Sequence, residues 1–115
     1  MANGVAVTYY GDVVVTGLIN KGPTTGAATL TAASTTAPDA FILKLNGNTG
    51  ATDFAANYGD AANQSGDAIA INKYSAADQI AVVGSITASM TFPAPAGSIT
   101  SVNPTDVWFL TAKLQ

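Results

Sequence analysis

The sequence contains no cysteine, histidine, glutamate or arginine, so its seven acids are all aspartate and its four bases are all lysine. Without cysteine, the chain has no disulfide, no thiolate metal ligand and no thiol nucleophile. Without histidine, it lacks the usual general base and the commonest metal ligand. These absences remove most hydrolytic machinery, and they predict a protein that is not an enzyme and binds no cofactor.

Charge is also scarce, at 10% of residues against a usual share of about 25%. A net charge of −3 without arginine argues against nucleic acid as a partner, because phosphates require clustered basic residues. Abundant Thr, Ser, Asn and Ala with few charges is typical of bacterial or archaeal secreted and surface proteins, so we expect an extracellular or cell-surface location. The first residues lack the basic and apolar regions of a signal peptide, and we expect any export signal to have been removed or never to have been part of this sequence.

No apolar run approaches the roughly 20 residues of a membrane helix, so we expect no membrane insertion. Short segments rich in β-forming residues, bounded by Gly, Pro, Asn, Asp or Ser, instead predict one all-β domain over residues 1–115 with about seven strands. No segment has a sustained helical period. Two long loops are expected. The first covers residues 21–38 and contains a short strand at residues 28–31, and the second covers residues 87–105. The expected strands are residues 4–10, 13–16, 39–45, 51–58, 68–71, 79–83 and 107–114.

The two halves of the chain align with each other. The long loops have the same length, because 22 positions separate Gly17 from Asp39 and Gly84 from Asp106. Small gaps inside turns are typical of a true repeat, and we predict repeat units of about residues 4–58 and 67–115. Coincidence among similar β-sequences is the alternative. A shift of 67 aligns Val15 with Val82, Asp39 with Asp106 and Leu43 with Leu110, and a shift of 64 aligns Val5 with Ile69 and Tyr10 with Tyr74.

The order of these segments resembles the bacterial SBBP-type β-propeller repeat, from a seven-bladed family. The closest single motif is Asp39-Ala-Phe-Ile-Leu-Lys-Leu45, and residues 79–85 and the Phe-Pro loop at residues 91–97 follow the same order. The resemblance implies two propeller-blade-like antiparallel sheets. Residues 9–12 and 72–78 lack the Asp-Gly-Asn turn of many such repeats, and two blades are fewer than a propeller needs. A single β-sandwich or jelly roll is the alternative fold.

By this resemblance the second unit lacks a counterpart of strand 51–58, so strand 107–114 forms an open edge. An apolar, unprotected edge is a template for pairing with another chain. We therefore expect partners to be other copies of the chain or the rest of a larger propeller, as in a surface filament subunit or a propeller fragment. The predicted assembly edge consists of Val107, Trp108, Phe109, Leu110 and Thr111.

The densest group of oxygen-bearing side chains includes Asp60, Asn63 and Asp67, and such ligands suit hard cations like Ca²⁺. Their spacing is not that of an EF-hand, and turn formation explains them without a metal. We therefore interpret them as turn residues and expect no metal site, with these three as the only weak candidates.

Two features leave a second function open, a carbohydrate-binding module or an Asp-based glycosidase-like propeller module. Asp39 and Asp106 recur at equivalent strand starts, and a glycosidase would need two carboxyls about 5–10 Å apart. We interpret both as backbone-bonding turn residues. Trp108, the sole tryptophan, could stack on a sugar, although its place in an apolar strand favours burial.

Overall fold

The computed structural model describes residues 1–20, 29–74, 77–93 and 97–114. These residues form nine strands in three antiparallel sheets and no helix, which confirms the all-β prediction. Within the described ranges, no helix is long and apolar enough to cross a membrane. The strands are β1 (Ala2–Val7), β2 (Val13–Ile19), β3 (Asp39–Leu45), β4 (Thr52–Tyr58), β5 (Gln64–Ile71), β6 (Gln79–Ile86), β7 (Ser89–Thr91), β8 (Ser98–Thr100) and β9 (Asp106–Lys113).

Sheet 1 has the order β1-β2-β3-β4, and sheet 2 has the order β5-β6-β9. In sheet 1 each strand pairs with the next strand in the sequence, and in sheet 2 β6 lies between β5 and β9. Such pairing is expected for strands joined by short turns or by a loop to the next neighbour. Sheet 3 is the short hairpin β7-β8.

Three expectations about strands were wrong. Residues 29–31 are not in a strand, and position 28 lies outside the described residues. The loop expected at residues 87–105 contains β7 and β8, which are three residues each and too short to leave a periodic pattern. The strand expected at residues 68–71 begins earlier, because β5 already begins at Gln64.

The two sheets pair their strands in the same register. In sheet 1, Val15 lies opposite Val5 on one side and Leu43 on the other. In sheet 2, Val82 lies between Ile69 and Leu110, which are the residues reached by shifts of 64 and 67 positions. The irregularity in β1 falls between Ala2 and Gly4, and that in β5 falls between Gly66 and Ala68, again 64 positions on.

Sheets 1 and 2 pack face to face, and each side chain points either into this contact, the inner face of its sheet, or away from it, the outer face. Val14 and Ile42 from sheet 1 and Val82 and Trp108 from sheet 2 are buried in the shared core. The sheets approach most closely where β5 crosses sheet 1, since a Cβ atom on Gly66 would collide with the Thr16 hydroxyl. Sheet 3 closes one end of the core with Met90 and Phe92.

Candidate functional site

Within the part of the chain that the structure describes, β9 is an open edge of sheet 2, since its only neighbour there is β6. The main-chain N–H of Leu114 donates to the carbonyl of Asp78, which fixes the hydrogen-bonded positions of the ladder. Antiparallel pairs alternate between hydrogen-bonded and non-hydrogen-bonded positions. The intervening residues of β9 therefore direct their N–H and C=O groups away from β6, and these residues are Val107, Phe109, Thr111 and Lys113.

The side chains of β9 alternate between the two faces of sheet 2. Trp108 is 2% exposed and its indole N–H donates to the carbonyls of Ser65 and Ser85 at 2.9 and 3.1 Å. Val107 and Phe109 point outward and are 81% and 63% exposed. The predicted assembly edge is thus an edge in its main chain. Its side chains serve two surfaces, however, and a buried Trp108 is not available to stack on a sugar.

A groove of about 370 Å³ lies between β9 and the outer strands of sheet 1. Phe54 and Tyr58 of β4 form one wall, and Leu110 and Ala112 of β9 form the other. Burial raises the pKa of Tyr58, which fits the apolar character of this wall. Thr111 and Lys113, whose main-chain groups point away from β6, also line the groove, so it runs along the open side of β9.

The outer faces of both sheets are apolar. On sheet 1, Val5 is 66% exposed and lies in one cross-strand row with Val15 of β2 and Leu43 of β3. On sheet 2, Phe109 continues across β6 and β5 into Val83 and Ala68. The near-continuous apolar run of β2 predicts a strand covered on both faces, yet Val13 and Val15 are only partly buried here.

A buried ion pair joins the two sheets. The Lys44 ammonium on β3 lies 2.6 Å from Asp78 Oδ2, just before β6, and 3.2 Å from Asp12 Oδ2 in the first hairpin. The hydrogen bond that the Lys44 ammonium donates to Asp78 Oδ2 is the main cause that raises the pKa of Lys44. Sequence reasoning missed this pair, although Lys44 falls on the same alternate positions as the buried Ala40 and Ile42.

The two aspartates considered as an acid and base pair both hold the loops that precede them. Asp39 is fully buried, and its Oδ2 accepts hydrogen bonds from the Ala33 N–H and the Asn57 amide. Asp106 accepts hydrogen bonds from the main-chain N–H groups of Val102 and Asn103, and the Asn103 side chain is the main cause that lowers its pKa. A carboxylate as buried as Asp39 offers no access to a substrate.

The three candidate metal ligands face different partners. Asp60 accepts hydrogen bonds from the Ser89 hydroxyl and from the buried Gln64 amide, and these outweigh the effect of burial, so its pKa is lowered. Asp67 Oδ1 accepts a hydrogen bond from Ser65, while Asn63 bonds Thr87 through its main chain. Among the described residues there is no group of three or more acidic side chains that could hold a metal ion.

Comparison of the chain with protein-family models, with curated proteins and with solved structures finds no match. The β9 edge, its groove and the two apolar outer faces are the surfaces of the described residues on which another molecule has room to pack.

Proposed function

We propose that this chain is a non-enzymatic structural module of an extracellular or cell-surface assembly, and that it docks another chain along the β9 edge. The observation that carries the proposal is the row of outward main-chain groups at Val107, Phe109, Thr111 and Lys113 beside an apolar groove. An added strand would satisfy these groups and cover the groove, whereas an uncovered apolar edge invites uncontrolled association.

The proposal is supported by an internal repeat, in which sheets 1 and 2 are two propeller-blade-like copies of one unit. The shared registers and bulges are one support. A second support is a tightly packed glycine at the equivalent position of each sheet. A Cβ atom on Gly17 would collide with the Met1 carbonyl and with Phe41. A Cβ on Gly84 would collide in the same way with the carbonyl of Ser65 and with Trp108, at positions 64 and 67 residues further on.

The proposed repeat also indicates what kind of strand fits. β9 is the counterpart of β3, and in sheet 1 the neighbour of β3 is β4, with Ala55 opposite Leu43. A strand like β4 placed beside β9 would put this alanine opposite Leu110, facing the groove. Another copy of the chain or the rest of a larger propeller could supply it.

The test uses proline, which removes a main-chain donor. Thr111→Pro removes an outward N–H and is expected to keep the fold, since proline is tolerated on edge strands. It should abolish binding of a fluorescent peptide with the sequence of residues 51–58, which the native chain should bind better than a scrambled peptide. Ala112→Pro is the matched control, because its N–H points toward β6 and its loss should disrupt sheet 2.

Fluorescence anisotropy measures the binding, and circular dichroism verifies folding. Equal binding of the two peptides, or full binding by a folded Thr111→Pro variant, would contradict the proposal. So would a chain that stays monomeric at high concentration, binds no peptide and exchanges the amides of Val107, Phe109 and Thr111 freely with solvent.

A further inference from the structure

The outer face of sheet 1 carries the same residue positions as the inner face of sheet 2. One cross-strand row on the inner face of sheet 2 packs against sheet 1, and its members are Ile69, Val82 and Leu110. Shifts of 64 and 67 positions lead back to Val5, Val15 and Leu43, which form one row on the outer face of sheet 1. This outer face is thus built like a surface that already packs on a sheet within the chain.

The converse holds for the outer face of sheet 2. The inner face of sheet 1 receives sheet 2 through a row made of Gly4, Thr16 and Ile42. Its counterparts are Ala68, Val83 and Phe109, which lie in one row on the outer face of sheet 2. The chain therefore exposes both halves of the contact that it makes once internally, one half on each side.

We infer that a second copy of this chain packs the outer face of its sheet 1 onto the outer face of sheet 2, repeating the internal packing between molecules. The contact is heterologous, so it produces a ring if the rotation closes and a filament if it does not. This inference rests on the repeat in the proposed function and names a second copy as the partner. It uses the side chains of the two outer faces, whereas edge docking uses the outward main-chain groups of β9.

The chemistry of the two faces suits such a contact. The internal contact buries the Lys44–Asp78 ion pair. In the intermolecular contact Thr111 would take the place of Lys44 and Gly11 the place of Asp78, each 67 positions away in the sequence. The intermolecular contact would therefore bury no charge in its centre, and Lys113 would lie at its rim. Val83 replaces Thr16 at nearly the same volume, whereas Ala2 and Ala68 replace Gly66 and Gly4, so the sheets have to lie further apart here than they do internally.

The size of the faces limits the strength of the contact. Four strands of seven residues cover roughly 450 Å² in projection, at about 3.3 Å per residue and 4.8 Å per strand. A stable interface buries about 800 Å² of accessible surface per partner. We therefore expect reversible association that increases with concentration.

Two lysine variants test the contact, one on each face. Val5→Lys places a charge on the outer face of sheet 1, and Val83→Lys places one on the central strand of sheet 2, away from the β9 edge. Each should weaken self-association by at least about tenfold, since burying an unpaired charge costs more than the 1.4 kcal/mol that this factor represents. Val102→Lys is the matched control, because Val102 is 93% exposed in a loop.

A mixture gives the sharpest result. Each variant keeps one intact face, so mixing Val5→Lys with Val83→Lys should form heterodimers and nothing larger, as measured by sedimentation velocity. Unchanged Trp108 fluorescence verifies that both variants fold. Overturning results are undiminished association of either variant, or a mixture that stays monomeric although the native chain associates.

The Thr111→Pro variant separates this inference from edge docking. Association that persists in Thr111→Pro and disappears in both lysine variants supports face packing. Association that disappears in Thr111→Pro and persists in both lysine variants overturns face packing and leaves edge docking intact. A native chain that is monomeric at high concentration, yet binds the β4 peptide, also overturns face packing alone.

Discussion

Replacing Lys44 by methionine should destabilise the fold by about 3–5 kcal/mol, the usual cost of removing one partner of a buried ion pair. Lys44 and Asp78 are only 7% and 5% exposed, so water cannot replace the lost ammonium. Asp78 Oδ1 already lacks a hydrogen-bond partner among the described residues, and Lys44→Met would also remove the ammonium that donates to Oδ2. Methionine keeps about the length of the lysine stem, so the loss comes mainly from the stranded Asp78 carboxylate, with a smaller part from Asp12, whose Oδ2 lies 3.2 Å from the ammonium.

The double variant Lys44→Met/Asp78→Asn isolates that cause. Asp78 has a φ of 45°, a left-handed conformation that asparagine tolerates well, so the amide should not strain the turn. A neutral amide beside methionine is expected to restore most of the lost stability. Urea unfolding followed by Trp108 fluorescence measures both variants, because this buried tryptophan is the only one in the chain. A loss below about 1 kcal/mol in Lys44→Met, or no recovery in the double variant, would refute the reasoning.

The pH dependence of the same pair has a definite sign. The pKa of Lys44 is raised above its ordinary value of 10.5 in the folded chain, chiefly by Asp78. The stabilisation is therefore complete below pH 10.5 and is lost as the pH rises through the higher folded pKa. Lys44→Met should lose this alkaline decrease in stability, and a decrease of equal size in the variant would assign it to other groups.

Two further predictions concern single positions. Gly84→Ala should cost about 1–3 kcal/mol by overpacking, since its Cβ would collide with the Ser65 carbonyl and the buried indole of Trp108, while Gly17→Ala should cost less; equal losses on urea unfolding would contradict this. The pKa of Asp106 is lowered below 3.8, mainly by Asn103, so its contribution is present above pH 3.8 and lost as the pH falls through the folded value. Asp106→Asn should reduce the acid sensitivity of the loop before β9, measured by amide exchange, and an unchanged pH profile would contradict this.

Strand composition predicted the regular parts of the fold well. Asp39-Ala-Phe-Ile-Leu-Lys-Leu45 is β3 from its first to its last residue, because β-branched and aromatic residues stand between clear turn signals. β5 was expected to begin too late, since Gln64 and Ser65 are polar and buried there, and the bulge at Gly66 to Ala68 interrupts the alternation. Such polar strand starts depend on tertiary partners that composition does not reveal.

The open edge of β9 was predictable in position but not in the direction of its side chains. The apolar strand 107–114 follows from composition and its open edge was expected from the resemblance to a propeller repeat, whereas the assignment of Trp108 inward and Phe109 outward needs the register with β6. A one-residue slip would exchange them. The pairing of Lys44 with Asp78 was likewise hidden, because residues 34 positions apart are brought together only when the two sheets stack.

The scarcity of charge and the proposed assembly have a common physical cause. A sheet with one face in water alternates apolar and polar residues, but the strands of this chain carry apolar residues on both faces, as in Val13–Ile19 and in Val107 beside Trp108. Charges are then confined to turns, strand ends and edges, and the net charge of −3 supplies little repulsion between copies. In this chain each of the two sheets covers the inner face of the other, and the two outer faces stay uncovered. In the proposed assembly, stacking with further copies would cover these outer faces, so the apolar residues on both faces of the sheets favour assembly.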